Sequence, residues 1–135
     1  MVNPTTIPLL TDAHVDASAV LAVVFDEPGS QAVSRRLSEF PRLVSSNLLE
    51  AEVRAALARE GDPFVPELLE SVQWILPPRP LHTEISTVLQ AGYLRGADLW
   101  HIANALYAAR TMPGLAFITL DQRQQNVVAG LGFPT

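Results

Sequence analysis

The chain reads as an α/β protein with a mostly parallel sheet and helices on both faces, and three observations predict it. Stretches of strand character at 7–15, 42–45, 74–76 and 116–120 alternate with stretches of helical periodicity. No two strand stretches lie close enough in sequence for a tight hairpin, which leaves crossover connections and parallel pairing. With 135 residues and 48% hydrophobic content, the chain is long enough for one cored domain and too short for two. That domain is expected to occupy 1–135, with 1–8 a loose lead-in.

Each element has a local reason. Asp12 and His14 interrupt the apolar run of the first strand, and Asp16-Ala17-Ser18 ends it. Ser18 or its neighbour starts a short apolar helix, 19–25, which stops before the turn signal Asp26-Glu27-Pro28-Gly29. Ser30 is placed as N-cap of a second helix running to about Phe40, closed by Pro41. After the second strand, Asn47 and Glu50 stand at capping-box spacing at the head of a helix that runs to about Glu60 and ends at Gly61. A helix is expected over 66–72, a brief strand at 74–76 cut short by Pro77 and Pro78, and another helix over 81–91 with Gly92 near its end. From Leu94 to Arg110 a loop carrying Gly96 turns into a helix whose inward face is Leu99, Ile102, Ala103 and Leu106. Residues 116–120 are the clearest buried strand, followed by Asp121 and a helix over 122–129, with Phe133 a candidate start for a last strand.

Composition excludes several classes of function. The absence of cysteine removes disulfide frameworks, thiolate zinc sites and cysteine nucleophiles, so any metal must be held by oxygen or imidazole. A net charge of −5 argues against broad attraction to nucleic acid or anionic lipid, and a nucleic-acid substrate would need local basic patches. All nine basic residues are Arg, whose forks suit phosphates or carboxylates, but they are spread along the sequence. The opening residues lack a basic region before their short apolar part, and the best apolar run, 17–25, is far below membrane-spanning length; a soluble cytoplasmic protein is expected. There is no Walker-type loop, GxGxxG after a strand, GxSxG elbow or HExxH.

Four acids stand at junctions of these elements: Asp16, Glu52, Asp98 and Asp121. Asp98 and Asp121 each sit where a carboxylate caps a helix, and capping alone is a sufficient reason for either. Glu52 differs, because it lies with Leu49, Val53, Ala56 and Leu57 on the inward face of its helix, whereas Glu50 pairs outward with Arg54. A carboxylate facing inward must be paired, hydrogen-bonded, protonated or metal-bound. Asp16 and Asp121 follow strands, at the end where parallel sheets bind ligands. If the four converge, their repulsion calls for a hard divalent ion, Mg2+ or Mn2+, which would activate water against a phosphodiester. Ser18 and Thr119 are placed to support the acids through their hydroxyls or to bond locally. His101 reads as a packing or supporting residue, His14 and His82 as structural or exposed, and Trp74, Trp100 and Tyr107 as core or interface.

The ordered segments VDASAVLAVV, SSNLLEAEVRAAL, LRGADLWHIANAL and FITLDQRQ resemble the PIN-domain family, particularly its VapC-type toxins, over about Asp12 to Phe133. The resemblance implies a three-layer α/β/α fold and an Mg2+- or Mn2+-dependent ribonuclease with Asp16, Glu52, Asp98 and Asp121 on the acidic positions and Ser18 and Thr119 on supporting ones. It also implies a homodimer and inhibition by a small VapB-like antitoxin. Three features depart from the pattern: the interrupted first strand, the bulky Trp100, and Arg123 where some relatives carry a further acid. The alternatives are a PIN-like module that binds RNA or protein without cutting, and a phosphoryl-transfer enzyme, for which Ala17 and Ser18 stand where a second Asp is wanted.

Overall fold

The computed structural model describes residues 11–135. Four strands and six helices follow in order: β1 (Ala13–Val15), α1 (Ala17–Val24), α2 (Ser30–Ser38), β2 (Leu43–Ser46), α3 (Leu48–Glu60), β3 (Val72–Ile75), α4 (His82–Ala91), α5 (Gly96–Ala109), β4 (Ala116–Ile118) and α6 (Gln122–Gly130). The strands pair in the order β3-β2-β1-β4, all parallel, with Ala13 opposite both Leu43 and Ala116. Crossover helices are the only short route between parallel neighbours, so they cover both faces.

The alternation of side chains along each strand builds two cores. Ala13, Val15, Ala116 and Ile118 face one side and pack with Ala19, Val20, Leu49, Val53 and Leu57 of α1 and α3. Val44 and Phe117 face the other, against Ile102, Ala105, Val88 and Val128 of α5, α4 and α6. His14 belongs to that second face and stacks on Phe117, centroids 5.3 Å apart. Leu49 and Ile102 are fully enclosed, and each such side chain stabilises the fold by roughly 1.5–3 kcal/mol. The strand order reverses beside β1: β2 and β3 were laid down on one flank and β4 on the other. At such a reversal the crossovers diverge and leave a crevice beyond the carboxyl ends of the strands.

Local chemistry corrects several expected boundaries. The first strand begins at Ala13; the rest of 7–15 and the loose 1–8 lead-in lie, up to residue 10, outside the described residues. Gly29, at φ 86°, caps α2, while the Ser30 hydroxyl turns back to donate to Asp26, and the helix stops at Ser38. Asn47 already has helical dihedrals and caps nothing; the Ser46 hydroxyl accepts the Leu48 N–H instead. The helix expected over 66–72 is a single 3-10 turn at Pro66–Leu68, because Val72 is drawn into the sheet opposite Leu43. Strand β4 ends at Ile118, and Phe133 starts no strand, although Phe117 N–H donates to Pro134 O at 2.8 Å. Helix α5 buries the expected Ile102 and Ala103, with Leu99 and Leu106 half-buried against the same core, but its buried face is wider than expected and takes in His101, Asn104 and Ala105. Among the described residues no helix is long and apolar enough to cross a membrane.

Candidate functional site

Asp16 follows β1 directly and caps α1, its Oδ1 accepting the Ala19 N–H at 3.2 Å. It is 2% exposed. Ser18 Oγ donates to it at 2.8 Å and Thr119 Oγ1 donates to its Oδ2 at 2.8 Å. The same two hydroxyls accept backbone N–H groups from the next turn of the chain, Ser18 from Leu120 at 2.9 Å and Thr119 from Asp121 at 3.0 Å. Two junctions a hundred residues apart are thereby fastened around one carboxylate. Burial pushes the Asp16 carboxyl above its ordinary range, opposed by the bonds from Ser18, Thr119 and Ala19.

Asp121 caps α6 by accepting the Gln124 N–H at 2.9 Å. Gln124 then reaches across to α5, where its Nε2 donates to Asp98 Oδ1 at 3.0 Å. Asp98, half-buried in the first turn of α5, serves no cap bond. Its carboxyl is also raised, first by burial and then by the negative charges of Asp121, Asp16 and Glu52, with His101 opposing. Asp121, Asp16 and Glu52 thus each lie within electrostatic reach of Asp98. Glu52 leans from α3 onto His101 Nε2, with its side chain 29% exposed. Asp98 and Asp121 open with Leu94, Arg95 and Arg123 into a cleft of about 270 Å³.

The predicted site residues are therefore brought to one edge of the sheet, Ser18 and Thr119 among them. Among the described residues, no three carboxylate or imidazole groups are already gathered at metal-ligating distance. The donor chemistry nevertheless fits a hard divalent cation. The groups are oxygens, their charges repel, and the buried Gln124 Oε1 beside Asp98 has no partner. Sequence reading missed Gln124 and Ser46. Asp121 and Gln124 stand at capping-box spacing, the one signal that could have singled out Gln124, although its amide serves Asp98 instead.

Fold and site together define a parallel three-layer α/β domain with an acidic cleft at its strand reversal. The PIN domain family matches residues 13–130. Two Mycobacterium tuberculosis proteins, Ribonuclease VapC45 of strain CDC 1551 / Oshkosh and Ribonuclease VapC49 of strain ATCC 25618 / H37Rv, are each 33% identical to this chain, covering 82% of it and 84% of their own length. The crystal structure of PAE2754 from Pyrobaculum aerophilum shares the fold, with a TM-score of 0.55 at 21% identity over 93% of this chain and 88% of that one. The chain belongs to the PIN-domain family, in its VapC-type branch.

Proposed function

We propose that this chain is a divalent-cation-dependent endoribonuclease acting as the toxin of a toxin–antitoxin pair. The observation that carries the reading is the hydrogen-bonded joining of three acids at the carboxyl edge of the sheet: Thr119 donates to Asp16 and accepts the Asp121 N–H, Asp121 accepts the Gln124 N–H, and the Gln124 amide donates to Asp98. The names of the two mycobacterial relatives support ribonuclease activity. Asp16, Glu52, Asp98 and Asp121 would hold Mg2+ or Mn2+. When bound, the ion would acidify a water and offset the charge that develops on the phosphodiester.

The chain's own residues prepare the site. Ser18 and Thr119 hold Asp16 in one rotamer, and Gln124 holds Asp98 through Oδ1, leaving Oδ2 unclaimed among the described residues. Arg36, Arg42, Arg54, Arg59 and Arg79 are each engaged by a carboxylate. Arg95 and Arg123 have no such partner among the described residues and stand on the rim of the acidic cleft. They are the local cations that a polyanion needs to approach a chain of net charge −5. A VapB-like antitoxin, a homodimeric state and a cytoplasmic location belong to the same reading.

The test is cleavage of single-stranded RNA by the purified chain with Mn2+, with Mg2+ and with EDTA. Cleavage is expected only with the ion, and Asp98→Asn is expected to reduce it about a thousandfold, roughly 4 kcal/mol of barrier, while the protein stays folded. RNA that is bound but never cut under any ion would establish the non-catalytic module instead.

A further inference from the structure

His101 is 1% exposed on α5, three residues beyond Asp98, and both of its ring nitrogens are engaged. Ser46 Oγ, at the end of β2, lies 3.1 Å from Nδ1. Ser46 already accepts the Leu48 N–H at 3.2 Å. Every donor and acceptor is matched when the Ser46 proton goes to Nδ1, which puts the remaining ring proton on Nε2, toward Glu52 Oε1. A directed chain of bonds thus starts at the first N–H of α3, passes through β2 and α5, and returns to a carboxylate one turn further along α3.

We propose that His101, one turn along α5 from Asp98, is a positioning residue that fixes the Glu52 carboxylate, with Ser46 fixing the ring behind it. This rests on the cation-dependent reading of the four acids. Glu52 has three rotatable bonds and a partly exposed side chain, so without the imidazole its carboxylate would sweep through several rotamers. Partners that orient a metal-holding carboxylate typically change ion affinity by about 10–100-fold. A histidine buried only for packing would alter stability and leave that affinity alone.

Mn2+ binding to the full chain, followed by electron paramagnetic resonance, separates the two roles, with RNA cleavage measured alongside. His101→Asn, whose amide reaches the Nδ1 position but falls short of Glu52, is expected to weaken Mn2+ binding about 10–100-fold and lower kcat while KM for RNA stays within about twofold. His101→Gln, whose Nε2 reaches toward Glu52, is expected to recover most of that loss. In a Glu52→Gln background, His101→Asn should add nothing. Should His101→Asn fail to fold, Ser46→Ala carries the test with an expected loss of several-fold. The proposal is overturned if the folded variants bind Mn2+ as the parent does, or if the His101→Asn loss persists undiminished in the Glu52→Gln background. A parent chain that binds no Mn2+ would take down the cation-dependent reading, and this role with it.

Discussion

Asp16 and Asp98 lie within electrostatic reach of each other and are held in opposite ways. Asp16 is buried, caps a helix and receives two hydroxyls and a backbone N–H. Asp98 is half-buried, caps nothing and receives one side-chain amide. Burial raises both carboxyls, but only that of Asp98 is further raised by its acidic neighbours. The contrast teaches that a capping role and a place among the four acids are independent: Asp16 and Asp121 have both, while Asp98 and Glu52 have only the second.

The largest test of that contrast compares two substitutions expected to abolish cleavage alike. Asp16→Ala loses a cap worth about 0.5–2 kcal/mol and leaves at least one of the Ser18 and Thr119 hydroxyls, 3.2 Å apart, without an acceptor at roughly 1–3 kcal/mol. Its melting temperature should therefore fall by on the order of 10 °C. Asp98→Asn should melt within a few degrees of the parent. The pH dependence sharpens the point. A carboxyl raised in the folded state binds its proton more tightly folded than unfolded, so its ionisation costs stability as pH climbs above the ordinary carboxylate range. Measured in EDTA, Asp98→Asn should thus gain on the parent as pH rises from about 4 to 7. Equal melting of the Asp16→Ala and Asp98→Asn proteins would erase the distinction.

The buried imidazole of His14 extends the comparison with an effect of opposite sign. His14 is pushed down to about 3, chiefly by burial, with the Asn104 bond opposing and the nearby His101 ring reinforcing the shift. The unfolded chain takes up this proton from about pH 6.5 and the folded chain only near 3, so stability is lost on acidification across that window. The slope approaches about 1.4 kcal/mol per pH unit. His14→Gln should flatten this acid limb in urea unfolding at several pH values; an unchanged limb would assign it to other groups.

The smallest expected effect concerns the cleft rim. Arg95 precedes Asp98 and Arg123 follows Asp121, one cation beside each kind of acid. With cleavage blocked by Asp98→Asn, replacing either Arg by Gln should weaken oligoribonucleotide binding several-fold and reduce the salt dependence by about 0.7 per lost contact. Arg35→Gln, outside the cleft, should leave both unchanged. Equal salt slopes in all three would remove the rim from substrate contact.

Much of this was legible in the sequence because its signals are local. The apolar run before Asp121, the glycine ending α3 and the inward placement of Glu52 each follow from a few neighbouring residues. The parallel layering followed from strands too far apart for hairpins. What escaped was decided by partners distant in sequence. The wider buried face of α5 depends on polar residues that bury only because His14, Ile75 O, Ser46 and Glu52 accept or donate to them. Val72 joined β3 rather than a helix because an open strand edge was available. Gln124 looked like an ordinary helix residue until α5 brought Asp98 to it.

Asn104 ties these threads together. Its Oδ1 accepts from His14 Nε2 at 2.8 Å and its Nδ2 donates to Ile75 O at 3.1 Å, so one amide beneath the sheet spans β1 and β3, which are separated by β2. Asp98 lies six residues up the same rod, about 9 Å away, and a rigid helix passes any slip at one end to the other. Damage to this remote amide should therefore surface as misalignment at the cleft, and a screen for inactive variants would recover positions that never come near RNA.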